Sequence, residues 1–236
     1  MSTASLPAFS RPRFYVGLAS FMTLMVLVGF WPSYFGRFLS GIPTRPWVIH
    51  LHGAIFAGWM ALLVTQVILA ARGKIRAHRS LGTLGIAYGF IVLAMGIVIS
   101  VAAPVMHFTA GEQTMDESAG FLIIPLGDMV LFGGFFIPAV IYRNRPELHK
   151  RLIVLATTAL LFAAAGRMTF LQLPVGLLVW LSPVLIGIAY DARTRRKVHP
   201  VYVIGLVILL IGFTRVFLTG SEAWLRIGRA VIRAFA

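Results

Sequence analysis

The chain has 236 residues, of which 59% are hydrophobic and only 12% charged, with a formal net charge of +14. About a quarter of the residues of a soluble domain are charged, so a chain this apolar is matched to lipid rather than to water. The absence of cysteine excludes disulfides, zinc–thiolate sites and iron–sulfur clusters.

Residues 1–13 read as a polar N-terminal tail on the cytoplasmic side. They lack the short apolar core and small-residue cleavage site of a removable signal, so the first apolar run is an uncleaved span. A hydrocarbon core about 30 Å thick is crossed by roughly 20 apolar residues in a helix. Seven runs are of this kind: 14–35, 47–70, 81–104, 121–142, 151–172, 175–190 and 199–219. The expected fold is therefore all-α, a polytopic transmembrane bundle over residues 14–219. The fifth and sixth runs are the weakest, because only "QLP" parts them and Arg167 interrupts the end of the fifth. A re-entrant pair is the alternative there. Pro125, Pro138, Pro183 and the Gly133–Gly134 pair sit inside runs and read as kinks and packing sites, which neighbouring helices tolerate. Thr65 and Gln66 read as helix–helix contacts.

Three gaps are strongly basic: "RGKIRAHRSLG" (72–82), "RNRPELHKRL" (143–152) and "DARTRRKVHP" (191–200). With the N-terminal tail they hold fourteen Lys and Arg on one side of the membrane. The other side holds six, namely Arg37, Arg45, Arg167, Arg226, Arg229 and Arg233, and its gap "HFTAGEQTMDES" has three acids and no Lys or Arg. The positive-inside rule then puts the N-terminus in the cytoplasm and the C-terminus outside. It also accounts for the net charge without a nucleic-acid partner; the partner is the lipid bilayer. The last segment, 220–236, has Trp224, Ile227, Val231 and Phe235 at helical spacing, with Arg226, Arg229 and Arg233 on another face. It is expected to be an amphipathic helix on the membrane surface, started by Ser221 and Glu222.

The six histidines fall in two layers. His78, His149 and His199 mark the cytoplasmic starts of spans 3, 5 and 7, at one depth; His50, His52 and His107 lie toward the outside. Imidazole is comfortable at a headgroup boundary, but it is also the commonest metal ligand and an axial ligand of haem iron. A haem b in a helix bundle needs two imidazoles from facing helices at one depth. His78 with His149, or His149 with His199, meets this at the inner side, with Arg79, Lys150 and Arg151 for the propionates or a quinone headgroup. His52 is the candidate outer ligand, with His107 as its only evident partner. Asp128 in span 4 and Arg167 and Arg215 near the outer ends of spans 5 and 7 are buried ionisable residues, which are costly in lipid unless paired. With His52 they are expected to form one polar cluster for an anion, a proton or a haem propionate.

All three lysines lie in loops, which excludes a retinal Schiff base. No G-x-x-x-x-G-K-[ST], H-E-x-x-H or G-x-S-x-G occurs. The stretches "HLHGAIFAGWMALL", "AHRSLGTLG", "ELHKRLIVLAT" and "RRKVHPVYV" resemble those of uncharacterised bacterial polytopic inner-membrane proteins, over most of residues 45–220. Histidines at both membrane faces are loosely similar to the cytochrome b561 group, which implies two b-type haems in a helical bundle. The chain departs from that group in that its histidines do not fall on four consecutive helices at matched spacing. Three functions remain in view: a haem b electron-transfer protein with a quinone or other redox partner, a transporter or channel built on Asp128 and its arginines, and a non-catalytic assembly subunit.

Overall fold

A computed structural model describes residues 11–41, 46–168 and 170–236, with side chains from Arg13 onward. The first ten residues of the tail, and Arg45, lie outside the described residues. Among the described residues the fold is all-α. Seven stretches are long and apolar enough to cross a membrane: Arg13–Leu39, Trp47–Ala71, Ile75–Thr109, Met115–Ile141, Pro146–Ala165, Leu173–Arg195 and Pro200–Leu218. The protein is a multi-pass membrane bundle.

The first span is α1 (Arg11–Phe30), a π-helical turn (Trp31–Phe35) and α2 (Gly36–Leu39). Pro32 has no N–H to donate to the residue one α-turn back, and the helix widens there instead of ending. The second span is α3 (Trp47–Ala71) and the third is α4 (Ile75–Thr109). The 35 residues of α4 extend about 52 Å at 1.5 Å each, well past the 81–104 run. His78 and His107 therefore both lie on this helix, at its two ends. The fourth span joins α5 (Met115–Phe121) to α6 (Ile123–Ile141), and Thr114 with Glu117 forms a capping box at its start. The fifth run is α7 (Pro146–Leu160) with α8 (Phe162–Ala165), the sixth α9 (Leu173–Arg195), and the seventh α10 (Pro200–Phe213) with a 3₁₀ turn (Thr214–Leu218). The fifth and sixth runs are separate helical stretches of 20 and 23 residues, each long enough to cross.

The core lies where α6 and α7 meet α9 and α10, around Phe132, Leu155, Trp180, Val184 and Tyr202, all fully buried. Large apolar side chains such as Leu84, Val130 and Ile211 point outward, as they do when the medium outside is hydrocarbon. Small residues permit close helix contact. A Cβ on Gly29 of α1 would lie 2.4 Å from the Ala164 carbonyl oxygen of α8, so only hydrogen fits.

The C-terminal segment is a helix, α11 (Glu222–Phe235), started by Ser221, whose hydroxyl accepts the Trp224 N–H. Its packed face differs from the one expected. Leu225, Gly228 and Ile232 are buried against Val105 of α4 and Ala119 and Leu122 of the fourth span, while Ile227 and Phe235 are exposed. Trp224 donates its indole N–H to the Ala119 carbonyl, 2.9 Å away. Arg229 grips both oxygens of Asp116 at 2.6 and 2.9 Å. The reason is Gly228: its missing side chain lets the Ala119 carbonyl approach, so the helix docks on the acidic end of the bundle through a face a residue beyond the Trp224–Ile227–Val231 stripe.

Replacing Gly29 by leucine drives atoms into the α8 backbone. It is expected to cost 1–3 kcal/mol, roughly the overpacking range, read as a lowered thermal midpoint in detergent. Gly17, with nothing within 4 Å of its would-be Cβ, serves as the control: Gly17→Ala leaves the midpoint unchanged.

Candidate functional site

At the basic end, α1, α3, α4, α6 and α7 surround a cavity of about 960 Å³, at the top of the range of cofactor and ligand pockets, roughly 300–1,000 Å³. Its floor is apolar: Met22 of α1, Trp59 of α3 and Phe136 of α6. The Trp59 and Phe136 rings meet edge to face, 5.6 Å apart. Its mouth carries Arg79 of α4, Arg143 of the α6–α7 turn and Lys150 of α7. Along α4 the positions His78, Gly82 and Gly85 line it in succession, and a Cβ on Gly82 or Gly85 would meet the Gln66 amide or the Leu62 side chain of α3 at 3.3 Å, so α3 and α4 pack closely there.

His78 and His149 both line this cavity and are within electrostatic reach of each other. The Nδ1 of His149 contacts the Ala139 carbonyl at 2.8 Å, one of the carbonyls at the end of α6 that lack an intrahelical donor. The Nδ1 of His78 contacts the Gln66 carbonyl at 3.3 Å. A carbonyl only accepts, so in both rings Nδ1 carries the proton and, in the neutral ring, Nε2 keeps its lone pair. Metal-ligating histidines are held in this way, by donation of the other ring N–H to a carbonyl or carboxylate. No group of three or more His, Cys, Asp or Glu suited to a metal ion occurs among the described residues. Two imidazoles suit an iron whose remaining bonds come from a macrocycle. Gln66, a helix contact by sequence, also lines the cavity, and its Oε1 is buried with no hydrogen-bond partner.

Arg151 does not face the cavity. It is fully buried and grips Asp191 of α9 with two bonds of 2.9 and 2.5 Å, while its third nitrogen reaches the Glu147 carboxylate at 2.8 Å. Glu147 also takes Lys150 at 2.7 Å and Arg195. Arg151 is thus a structural tie between α7 and α9, and Arg79, Arg143 and Lys150 remain as the cations of the mouth. The signal for this tie is Asp191, the one acid in the basic gap 191–200, together with Glu147 one turn before Arg151.

The other expected site residues are apart from this pair. His199 caps α10: its Nδ1 accepts the Val201 N–H at 3.3 Å, and its own N–H donates to Asp191. The acidic-end residues form two groups rather than one. Asp128 is paired with Arg215, which also donates to the Ile124 and Gly212 carbonyls and lies over the Phe162 ring at 4.6 Å. Arg167 instead lies over the Phe30 ring at 4.5 Å, beside His52. His107 pairs with the nearby Glu112 at 2.5 Å and does not join His52.

No family model matches the chain, and no curated protein or solved structure matches it.

Removing one partner of a buried pair strands a charge at a cost of about 3–5 kcal/mol. Asp191→Ala is therefore expected to lower stability in denaturant titrations by an amount of this order, and Arg151→Leu with Asp191→Leu to recover much of it. The pH dependence of the α10 cap has a defined sign. Burial, followed by the charge of Arg151, lowers the His199 pKa from its ordinary value, so the fold favours the neutral ring. The cap is complete above the unfolded imidazole value, about 6.5, and is lost as pH falls below it toward the lowered value. The thermal midpoint is expected to fall from pH 7 to pH 5, and His199→Asn, which caps without titrating, to flatten that part of the profile.

Proposed function

We propose that the protein is a membrane electron carrier whose basic-end cavity would hold one haem b, with His78 and His149 as the residues that would bind its iron. The observation that carries this reading is the pair of imidazoles. They come from two helices, line one apolar cavity of about 960 Å³, and are each oriented by Nδ1 donation to a backbone carbonyl. Bound there, the haem supplies reversible one-electron chemistry at iron. The chain's own residues do the rest. Trp59, Phe136 and Met22 form an apolar floor that keeps water out. Arg79, Arg143 and Lys150 at the mouth would pair with the haem propionates through charge-assisted bonds.

The basic gaps support a cytoplasmic position for this cavity, in a bacterial inner membrane. Electron exchange there is with a quinone or another redox partner. Support for a transporter built on Asp128 is weaker, because its carboxylate is closed off by Arg215 and does not line the basic-end cavity.

Purification in mild detergent from haem-replete cells, followed by a visible spectrum, tests the proposal. The expected result is a low-spin Soret band that sharpens and shifts on reduction, at one haem per chain. His149→Ala and His78→Ala are each expected to abolish or convert it to a high-spin form, while His199→Ala leaves it intact. A colourless wild-type protein, or a band unaffected by either substitution, overturns the assignment.

A further inference from the structure

The helix α11 carries two apolar faces, and only one of them meets protein. Leu225, Gly228 and Ile232 are buried against the bundle. The Trp224–Ile227–Val231 stripe lies about a quarter-turn away, at about 100° per residue. Trp224 and Val231 are half-buried and Ile227 is 56% exposed, so this second apolar edge is turned to the surroundings of the bundle. On the other side of the packed face, also about a quarter-turn away, Glu222, Arg226, Arg229 and Arg233 form a charged edge. Arg229 is committed to Asp116 and Glu222. Arg226 and Arg233 are exposed and have no acid partner among the described residues.

The contacts of α11 fix its depth. The seventh span ends at Leu218 and α11 begins at Glu222, so only Thr219, Gly220 and Ser221 link them. A Cβ on Gly120 would lie 2.7 Å from the Thr219 carbonyl oxygen; the bare glycine lets this link close on α5. The packed face then meets Val105, Ala119 and Leu122, which sit at the ends of the apolar runs 81–104 and 121–142. The helix therefore lies along the boundary between hydrocarbon and headgroups. Its charged edge is on the side of Asp116, which precedes the fourth apolar run and lies toward water. Its second apolar edge, nearly opposite, is turned to the hydrocarbon. An interfacial helix has this arrangement.

Two cations without acids at headgroup depth are complementary to lipid phosphates, which guanidinium groups bind through charge-assisted bonds. A soluble acidic partner would meet the arginines and leave the Trp224–Ile227–Val231 edge uncovered. An anionic lipid supplies both a phosphate for one edge and an acyl chain for the other. We infer that α11 is a docking surface for anionic phospholipid, whose phosphates pair with Arg226 and Arg233 while its acyl chains cover Trp224, Ile227 and Val231. Through Arg229 and Asp116 the same lipid layer steadies the start of the fourth span. Nothing in this surface depends on what the basic-end cavity holds.

The test is hydrogen exchange of residues 222–235 in the full-length protein, read by mass spectrometry in nanodiscs of phosphatidylcholine alone or with phosphatidylglycerol. Each cation near an anionic surface favours the bound state by about five-fold, so phosphatidylglycerol is expected to slow exchange by about ten-fold or more. Arg226→Gln with Arg233→Gln is expected to abolish that difference with the thermal midpoint unchanged, because both side chains are exposed. Arg226→Lys with Arg233→Lys is expected to retain it. Equal exchange in the two lipid compositions overturns the inference. So does slowing that persists in the glutamine variant, which would be a general effect of the anionic bilayer on the bundle. Slowing already complete in phosphatidylcholine, together with a dimer in the nanodisc, would assign the face to a second copy and overturn it too. Inorganic phosphate added to the detergent-solubilised protein is expected to leave exchange unchanged; slowing equal to that with phosphatidylglycerol would make the ligand a free anion and overturn the assignment to lipid.

Discussion

Arg151 is fully buried at the basic end of the bundle, between α7, α9 and the start of α10, and its charge determines how those helices meet. An isolated guanidinium cannot remain charged in an apolar interior without partners. Asp191 supplies two oxygens and Glu147 a third, and the Tyr202 ring of α10 lies 5.5 Å from the guanidinium. Asp191 in turn accepts the His199 N–H at the start of α10. One cation thereby ties three spans that have few other polar contacts. The same economy holds for the other acids. The chain has only seven, and each is engaged: Glu112 with His107, Asp116 and Glu222 with Arg229, Glu117 in the Thr114 cap, and Asp128 with Arg215. The surplus positive charge is left to the loops, where water and lipid headgroups can solvate it.

This tie also sets up the imidazole site. His149 is two residues before Arg151 on α7, so the two side chains leave the helix in nearly opposite directions. Holding Arg151 against α9 presents His149 to α6 and α4. There it satisfies the Ala139 carbonyl, a group that the end of α6 would otherwise leave unpaired. The same hydrogen bond satisfies the helix end and fixes the orientation of the imidazole. Gly82 and Gly85 of α4 line the cavity beside it, where the Gln66 and Leu62 side chains of α3 approach them.

The two ends of the bundle differ in how they are closed. The basic end is held by an ion-pair network and left open as a cavity. The acidic end is covered by α11, docked through Gly228 and Arg229, above the Asp128–Arg215 pair. Between them the aromatic stack of Phe132, Phe136 and Trp59 fills the centre without polar atoms to satisfy, apart from the Trp59 indole N–H bonded to Thr157.

Much of this was legible in the residues. The apolar runs specify seven spans because backbone groups in lipid must bond within their own helix, which makes helix length follow directly from hydrophobic length. The Ser221 cap and the high cost of a lone Asp128 are likewise local or pairwise properties. Which partners meet is not. Asp128 was equally compatible with Arg167 and Arg215, and only packing assigned it to Arg215 and sent Arg167 to Phe30 and His52. The helical rotation that buries Leu225 rather than Ile227 follows from a glycine meeting a carbonyl on another helix. Depth along the membrane normal is set by the sequence, since each residue adds a fixed rise. The direction a side chain faces depends on which helices lie beside it, and that is decided only when all seven are packed.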